Sequence, residues 1–334
     1  MKQVGRELGV RYVLEGSVRK AGGRVRITGQ LIDAETGAHL WADRFDGSLE
    51  DVFDLQDKVA ISVAGVIEPA LQAAETARSA GRPTSDLTAY DAYLRAFAMY
   101  NASARQIPQA LALLEEAIAR DPDYGSALAW AAMCCMRLCL DGSGQDLEAD
   151  RRKGIDYARR ALRVAREDPV VLAHCAVALA YGGEDIGAMM ALVDRALALN
   201  PSYARGWLMS GTVRWMAGDL DVALEHAETA LRLSPCGGVG LMYTLIGAAL
   251  FHGRRFDEAV PKLRLAIQEE PNFPSPYRSL AACYAHMGRL GEAHAIITQL
   301  RAMTPQVMPR LIIFRNPEHR ELFLSGLRLA AGEE

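Results

Sequence analysis

From about residue 89 onward, apolar positions recur three and four apart, the spacing that gathers them on one face of an α-helix. The stretch Tyr203–Pro235 shows the pattern most plainly. Trp207, Gly211 and Val213 to Trp215 lie at helical spacing in a first helix, and Ala223, Ala227 and Ala230 make a small-residue face in a second. Ala217-Gly218-Asp219 predicts the tight turn between them. Pro235 closes the unit, because proline cannot continue a helix beyond its first turn. A glycine inside a helix costs roughly 1 kcal/mol relative to alanine. Gly211 therefore predicts a close approach of the two helices, at Gly211 and Ala223.

The unit repeats. Prolines that close an alanine-containing helix occur at Pro122, Pro169, Pro201, Pro235, Pro271 and Pro305, at intervals of 47, 32, 34, 36 and 34 residues. Aligning on them places Ala110, Ala117, Gly154, Ala158, Ala161, Ala196, Ala223, Ala230, Ala259, Ala266 and Ala293 at tight inter-helix sites. Leu94, Leu128, Trp207, Tyr243 and Tyr277 fall at the helix-opening large position. This period with Trp, Gly, Ala and Pro at set places resembles the tetratricopeptide repeat. Arg214 and Ser210 depart from it, standing where the family usually has Tyr and Leu. The resemblance implies a mostly α fold: a solenoid of about six helix pairs with a capping helix, preceded by a small α/β module. Asn316-Pro317 opens the expected cap, with Leu322, Phe323, Leu327 and Leu329 as its buried face. The 47-residue interval holds an insertion, Leu140 to Arg152, expected as a polar loop between two helices.

The first quarter of the chain has a different period. A short helix, with Val4 and Leu8 on one face, is expected to stop at Gly9. Alternation of period two follows in Tyr12 to Arg19, Arg24 to Asp33 and His39 to Phe45. Ala21-Gly22-Gly23 and Ala34-Glu35-Thr36-Gly37 supply the turns of a three-stranded meander. In the middle strand Val25, Ile27 and Leu31 share one face, while Arg24, Arg26, Thr28 and Gln30 share the other. Ser48 with Asp51 resembles a capping box. It opens a helix whose Leu49, Val52, Phe53, Val59, Val63, Val66 and Ile67 would cover the sheet. The runs RYVLEGSVR, QLIDAETG and HLWADRFD, within roughly residues 3–68, resemble the second half of the TolB-like amino-terminal domain of bacterial signalling proteins. In those relatives the domain commonly sits between tetratricopeptide repeats and an effector, often a class III adenylate/guanylate cyclase or a winged-helix DNA-binding domain. The first half of such a domain would lie upstream of Met1. The expected organisation is an α/β module over 1–75, a linker over 76–88, and a solenoid over 89–334 capped from about residue 316.

Composition narrows the function classes. The net charge of −4 makes no global electrostatic case for direct nucleic-acid binding or an anionic membrane. No apolar run reaches 18 residues, so no membrane insertion is expected, and the N-terminus lacks the apolar core of a signal peptide; the expected location is cytoplasmic. Cys134, Cys135 and Cys139 share one expected helix, and Cys175, Cys236 and Cys283 are scattered, without metal-knuckle spacing. No phosphate-cradling loop, HExxH or GxSxG is present. Glu15 and Asp43 read as sheet-surface or cap residues. No catalytic, cofactor or metal site is expected, and the chain is read as no enzyme.

Function is expected on the inner face of the solenoid, on the first helix of each pair. Mapping the repeat places Arg95, Met99, Met133, Arg137, His174, Tyr181, Arg205, Trp215, Thr244, Phe251, His252, Arg278 and His286 there. Arginines, histidines, methionines and aromatics suit a peptide or protein partner with acidic and apolar side chains. The exposed edge of the N-terminal sheet also offers a route to self-association. The reading is a non-catalytic interaction and sensor module of a bacterial signalling protein. Its alternatives are the regulatory part of a class III cyclase whose catalytic domain lies outside this chain, and a purely structural scaffold.

Overall fold

The computed structural model describes residues 2–8, 10, 12–48, 55–56, 59, 63, 89–102, 104–141, 144, 146–234, 237–304, 306–310 and 313–332. The chain forms two compact units, residues 1–81 with 232–237, and residues 82–231 with 238–334. Gly9, Asp51, the linker 76–88, Pro235, Cys236 and Pro305, and most of the helix expected from Leu49 to Ile67, lie outside the described residues.

In the first unit, helix α1 (Lys2–Leu8) precedes strands β1 (Tyr12–Ala21), β2 (Arg24–Asp33) and β3 (His39–Ser48). They form an antiparallel meander in the order β1-β2-β3. Gly22 and Gly23 both have positive φ, the conformation a two-residue hairpin turn requires. The expected alternation holds: Val25 and Leu31 are buried, and Leu31 faces Trp41 while Ile27 faces Phe45. Leu55 lies close over Gly47, and Val63 approaches Gly29, so the described part of the following helix covers this face. The other face carries cross-strand polar pairs. Ser17 and Thr28 share a hydrogen bond of 2.8 Å, Gln30 donates to Glu15 at 2.8 Å, and Arg26 donates to Asp46 at 2.6 Å. Glu15 is thus a sheet-surface residue. Leu14 and Val18 on β1 remain exposed.

The second unit is a stack of helix pairs. They are α2 (Ala89–Ala102) with α3 (Ile107–Arg120), α4 (Gly125–Asp141) with α5 (Leu147–Val164), and α6 (Pro169–Tyr181) with α7 (Ile186–Leu199). There follow α8 (Ala204–Ala217) with α9 (Leu220–Leu233), α10 (Val239–His252) with α11 (Phe256–Glu269), and α12 (Pro274–His286) with α13 (Leu290–Met303). Helix α14 (Pro317–Ala331) packs on α12 and α13. First helices touch successive first helices from α4 through α12, and so build the inner layer. The alanines aligned above are all fully buried, and Gly218 turns α8 into α9 in the left-handed region.

Two expectations change. The insertion is shorter than it reads: α4 runs to Asp141, and α5 begins at Leu147, where the Asp146 carboxylate accepts the backbone N–H groups of Glu148 and Ala149. That cap lets helix start early in a polar stretch. In α14, Leu329 is 49% exposed, and Gly326 and Ala330 complete the buried face instead. Their spacing from Leu322, Phe323 and Leu327 keeps one helical stripe, and Gly326 admits Ala282 and His286.

Gly211 holds a close approach in the fourth pair. A Cβ there would lie 2.9 Å from Leu245 Cδ2 and 3.0 Å from the Ala223 carbonyl oxygen. Gly211→Leu is expected to cost about 1–3 kcal/mol through overpacking. Gly291→Ala, where nothing lies within 4 Å, should be neutral or slightly stabilising, since Ala is the better helix former. Thermal melts of both variants test this; equal melting points would show that the pair is not tightly closed.

Candidate functional site on the inner face

Helices α4, α6, α8 and α10 turn one face each toward a shared cavity of about 120 Å³. Tyr100 from α2, and Phe273 and Ser275 at the start of α12, complete its wall. Of the residues mapped from the repeat, Met133, Arg137, His174, Tyr181, Arg205, Trp215 and Thr244 line it together. Arg95 and Met99 are half-buried on α2 and do not.

Aromatic rings hold its two cations. Arg137 Cζ lies 5.1 Å from the Tyr100 ring centroid and 5.2 Å from that of Phe273. Arg205 Cζ lies 5.6 Å from Phe97 and 5.3 Å from Trp130. At these distances the ring quadrupoles attract both guanidinium groups. His174, fully buried beside Trp130, donates from Nδ1 to the Val170 carbonyl at 2.7 Å. Burial first, then the nearby Arg205 charge, pushes its pKa down to about 3, so it is neutral. With Nδ1 protonated, Nε2 is an acceptor, and it has no partner among the described residues. Burial raises the Glu270 carboxyl, while Arg137 and Arg205 pull it down.

The rest of the inner face is filled by the chain itself. Arg278, expected in the groove, is only 5% exposed and donates to the carbonyls of Val307 at 3.0 Å and Gln306 at 2.9 Å. Phe314 sets its ring edge-on to Trp215 and against His252. Arg315 donates to the carbonyls of Ala180 and Glu184 on the end of α6 and its loop. Residues 306–310 and 313–316 thus return across the first helices. Phe251 is fully buried, not facing a groove, because Phe256, His286 and Phe323 surround it. His252 is buried too, its Nδ1 2.8 Å from the Ala248 carbonyl, and burial pushes its pKa down to about 3. His286 Nε2 donates to the Leu322 carbonyl of α14, so it fastens the cap. These four residues support the fold. Period alone placed them inward, and the cap and returning segment then covered them.

Trp130, Tyr100 and Phe273 were not anticipated. Trp130, Met133 and Arg137 stand at i, i+3 and i+7, so Trp130 was legible on the same helical face. Phe273 was not, because only the curvature of the stack brings it to Arg137.

Among the described residues no group of three or more His, Cys, Asp or Glu side chains could hold a metal. Burial raises the thiols of Cys135 and Cys283 to about 12 and Cys139 to about 11, so they are poor nucleophiles. No helix among the described residues is long and apolar enough to cross a membrane.

A tetratricopeptide-repeat profile matches residues 250–311, and a second matches 97–138 and 190–237. The second unit is a tetratricopeptide-repeat solenoid. Over 141 residues the chain is 42% identical to "Putative adenylate cyclase 3" of Rhizobium meliloti (strain 1021), a match covering 41% of this chain and 23% of that protein. Over 139 residues it is 30% identical to cytochrome c-type biogenesis protein CycH of the same organism, covering 41% of this chain and 36% of that one. The matches thus span well under half the length of these curated relatives. Human IFIT1, solved as a dimer with m7Gppp-AAAA, superposes with a TM-score of 0.56 at 20% identity, over 66% of this chain and 51% of that one. At that identity the likeness is one of fold, and the RNA belongs to IFIT1.

Proposed function

We propose that this chain is a non-catalytic interaction and regulatory module of a bacterial signalling protein, engaging a protein or peptide partner on the open part of the solenoid's inner face. Repeat solenoids present such faces to partners. The observation that carries the reading is the division of that face. Its later helices are covered by residues 306–310, 313–316 and α14, whereas α4, α6 and α8 keep an apolar cavity edged by Arg137 and Arg205. Acidic and apolar side chains would complement that surface. The sheet of residues 12–48 is taken as part of a TolB-like domain, and the relative named as an adenylate cyclase supports a cyclase as the effector served.

The test is affinity capture from the native host with quantitative proteomics, comparing the wild-type chain with an Arg137→Gln/Arg205→Gln variant. Partners should be depleted at least tenfold by the variant while its thermal melt stays within a few degrees. An unchanged partner set would move the contact off this face.

A further inference from the structure

The cavity is built for something smaller than a folded partner. Its volume is about 120 Å³, near the roughly 150 Å³ of an apolar cavity that takes one benzene molecule, so it has room for a single ring with any polar group left at the arginine edge. Its wall is mostly ring faces and aliphatic groups, with Trp130, Tyr100, Trp215 and Leu245 among them. Flat rings line up best with a flat ligand body, offset-stacked or edge-on.

Two positive charges then define the polar end. Arg205 is clasped by Phe97 and Trp130 and makes no hydrogen bond or ion pair among the described residues. A half-buried guanidinium with unused in-plane donors is an open half of the fork that binds a carboxylate. Arg137 supplies a second cation on the same wall. Glu270, whose carboxyl both arginines pull down, offsets part of this charge, so a monoanion fits better than a polyanion.

We propose that the cavity binds a small aromatic monocarboxylate, about the size of benzoate or phenylacetate, with its ring among the aromatic walls and its carboxylate on Arg205, Arg137 contributing the second charge. Such a ligand would make the solenoid a receptor for a metabolite-sized acid. The inference does not depend on the protein partner proposed above, because it concerns the purified chain alone.

Isothermal titration calorimetry on the full chain at low salt, with benzoate and phenylacetate as probes, tests it. Saturable binding of either is expected, at least tenfold tighter than benzamide, which lacks the charge, and than acetate, which lacks the ring. Arg205→Gln should weaken that binding at least tenfold, and Arg205→Lys by a smaller factor, since it keeps the charge and loses the fork. If the arginine variants fail to fold, the comparison of probes on the wild-type chain still decides. No saturable binding of either acid at millimolar concentration, equal binding of benzamide, or binding of an acidic aromatic peptide but of neither acid would overturn the proposal.

Discussion

Arg278→Met is expected to free residues 306–310 and 313–316 from the inner face of the solenoid. The guanidinium donates to the carbonyls of Gln306 and Val307, and the side chain is almost wholly buried. Methionine keeps an apolar stem of similar reach but leaves both carbonyls without that donor. Hydrogen bonds to a charged group contribute about 1.5–3 kcal/mol each, so the segment should lose about 3 kcal/mol or more. At 1.4 kcal/mol per factor of ten, its open population would rise more than about a hundredfold. Arg310 and Arg315 lie within the segment, so trypsin should cut there much faster in native conditions. Trp215 fluorescence should change as well, because Phe314 packs on its ring. Wild-type cleavage rates in the variant would mean that Phe314 and Arg315 hold the segment without Arg278.

Acid should destabilise the solenoid through two imidazoles. His174 and His252 are held neutral, each with its pKa pushed down to about 3, chiefly by burial. Arg205 reinforces this at His174 and His319 at His252, while the Val170 and Ala248 carbonyls oppose it. In the unfolded chain both would titrate near the ordinary histidine value of about 6.5. Above that pH neither state binds the proton and the pair contributes no slope. As pH falls from about 6.5 toward about 3, the unfolded chain takes up protons that the folded chain refuses, so stability is lost. Each histidine gives about 1.4 kcal/mol per pH unit, and together they cost on the order of 5 kcal/mol by pH 4.5. Melting temperatures between pH 7.5 and 4.5 check this, against a His174→Gln/His252→Gln reference whose curve should be flatter. Parallel curves would show that carboxylates alone carry the acid response. NMR gives a second reading: the Cε1 protons of both histidines should not shift between pH 7.5 and 5.

Much of the architecture was legible because it rests on local rules. The period near 34 residues, the alanines between paired helices and the glycine turns all act over a few residues of chain, and each appears where periodicity puts it. The meander was legible for the same reason, since alternation and Gly22-Gly23 set both register and turn. The polar run after Leu140 misled because one well-placed carboxylate, Asp146, can start a helix where composition suggests a loop.

The inner face divides differently. That first helices would line it, with Met133, Arg137, His174 and Arg205 pointing inward, followed from the sequence alone, because helical phase is a local quantity. Which of those residues stay open was decided by tertiary structure. Arg278, Phe251 and His252 have the same phase as Arg205 yet are buried, because residues 306–310, 313–316 and α14 return to cover them. The clasp of Arg137 between Tyr100 and Phe273 likewise needs the curvature of the whole stack. Curvature sums small rotations over many repeats, and the return of a distant segment depends on where that sum ends, so neither can be read from a window of sequence.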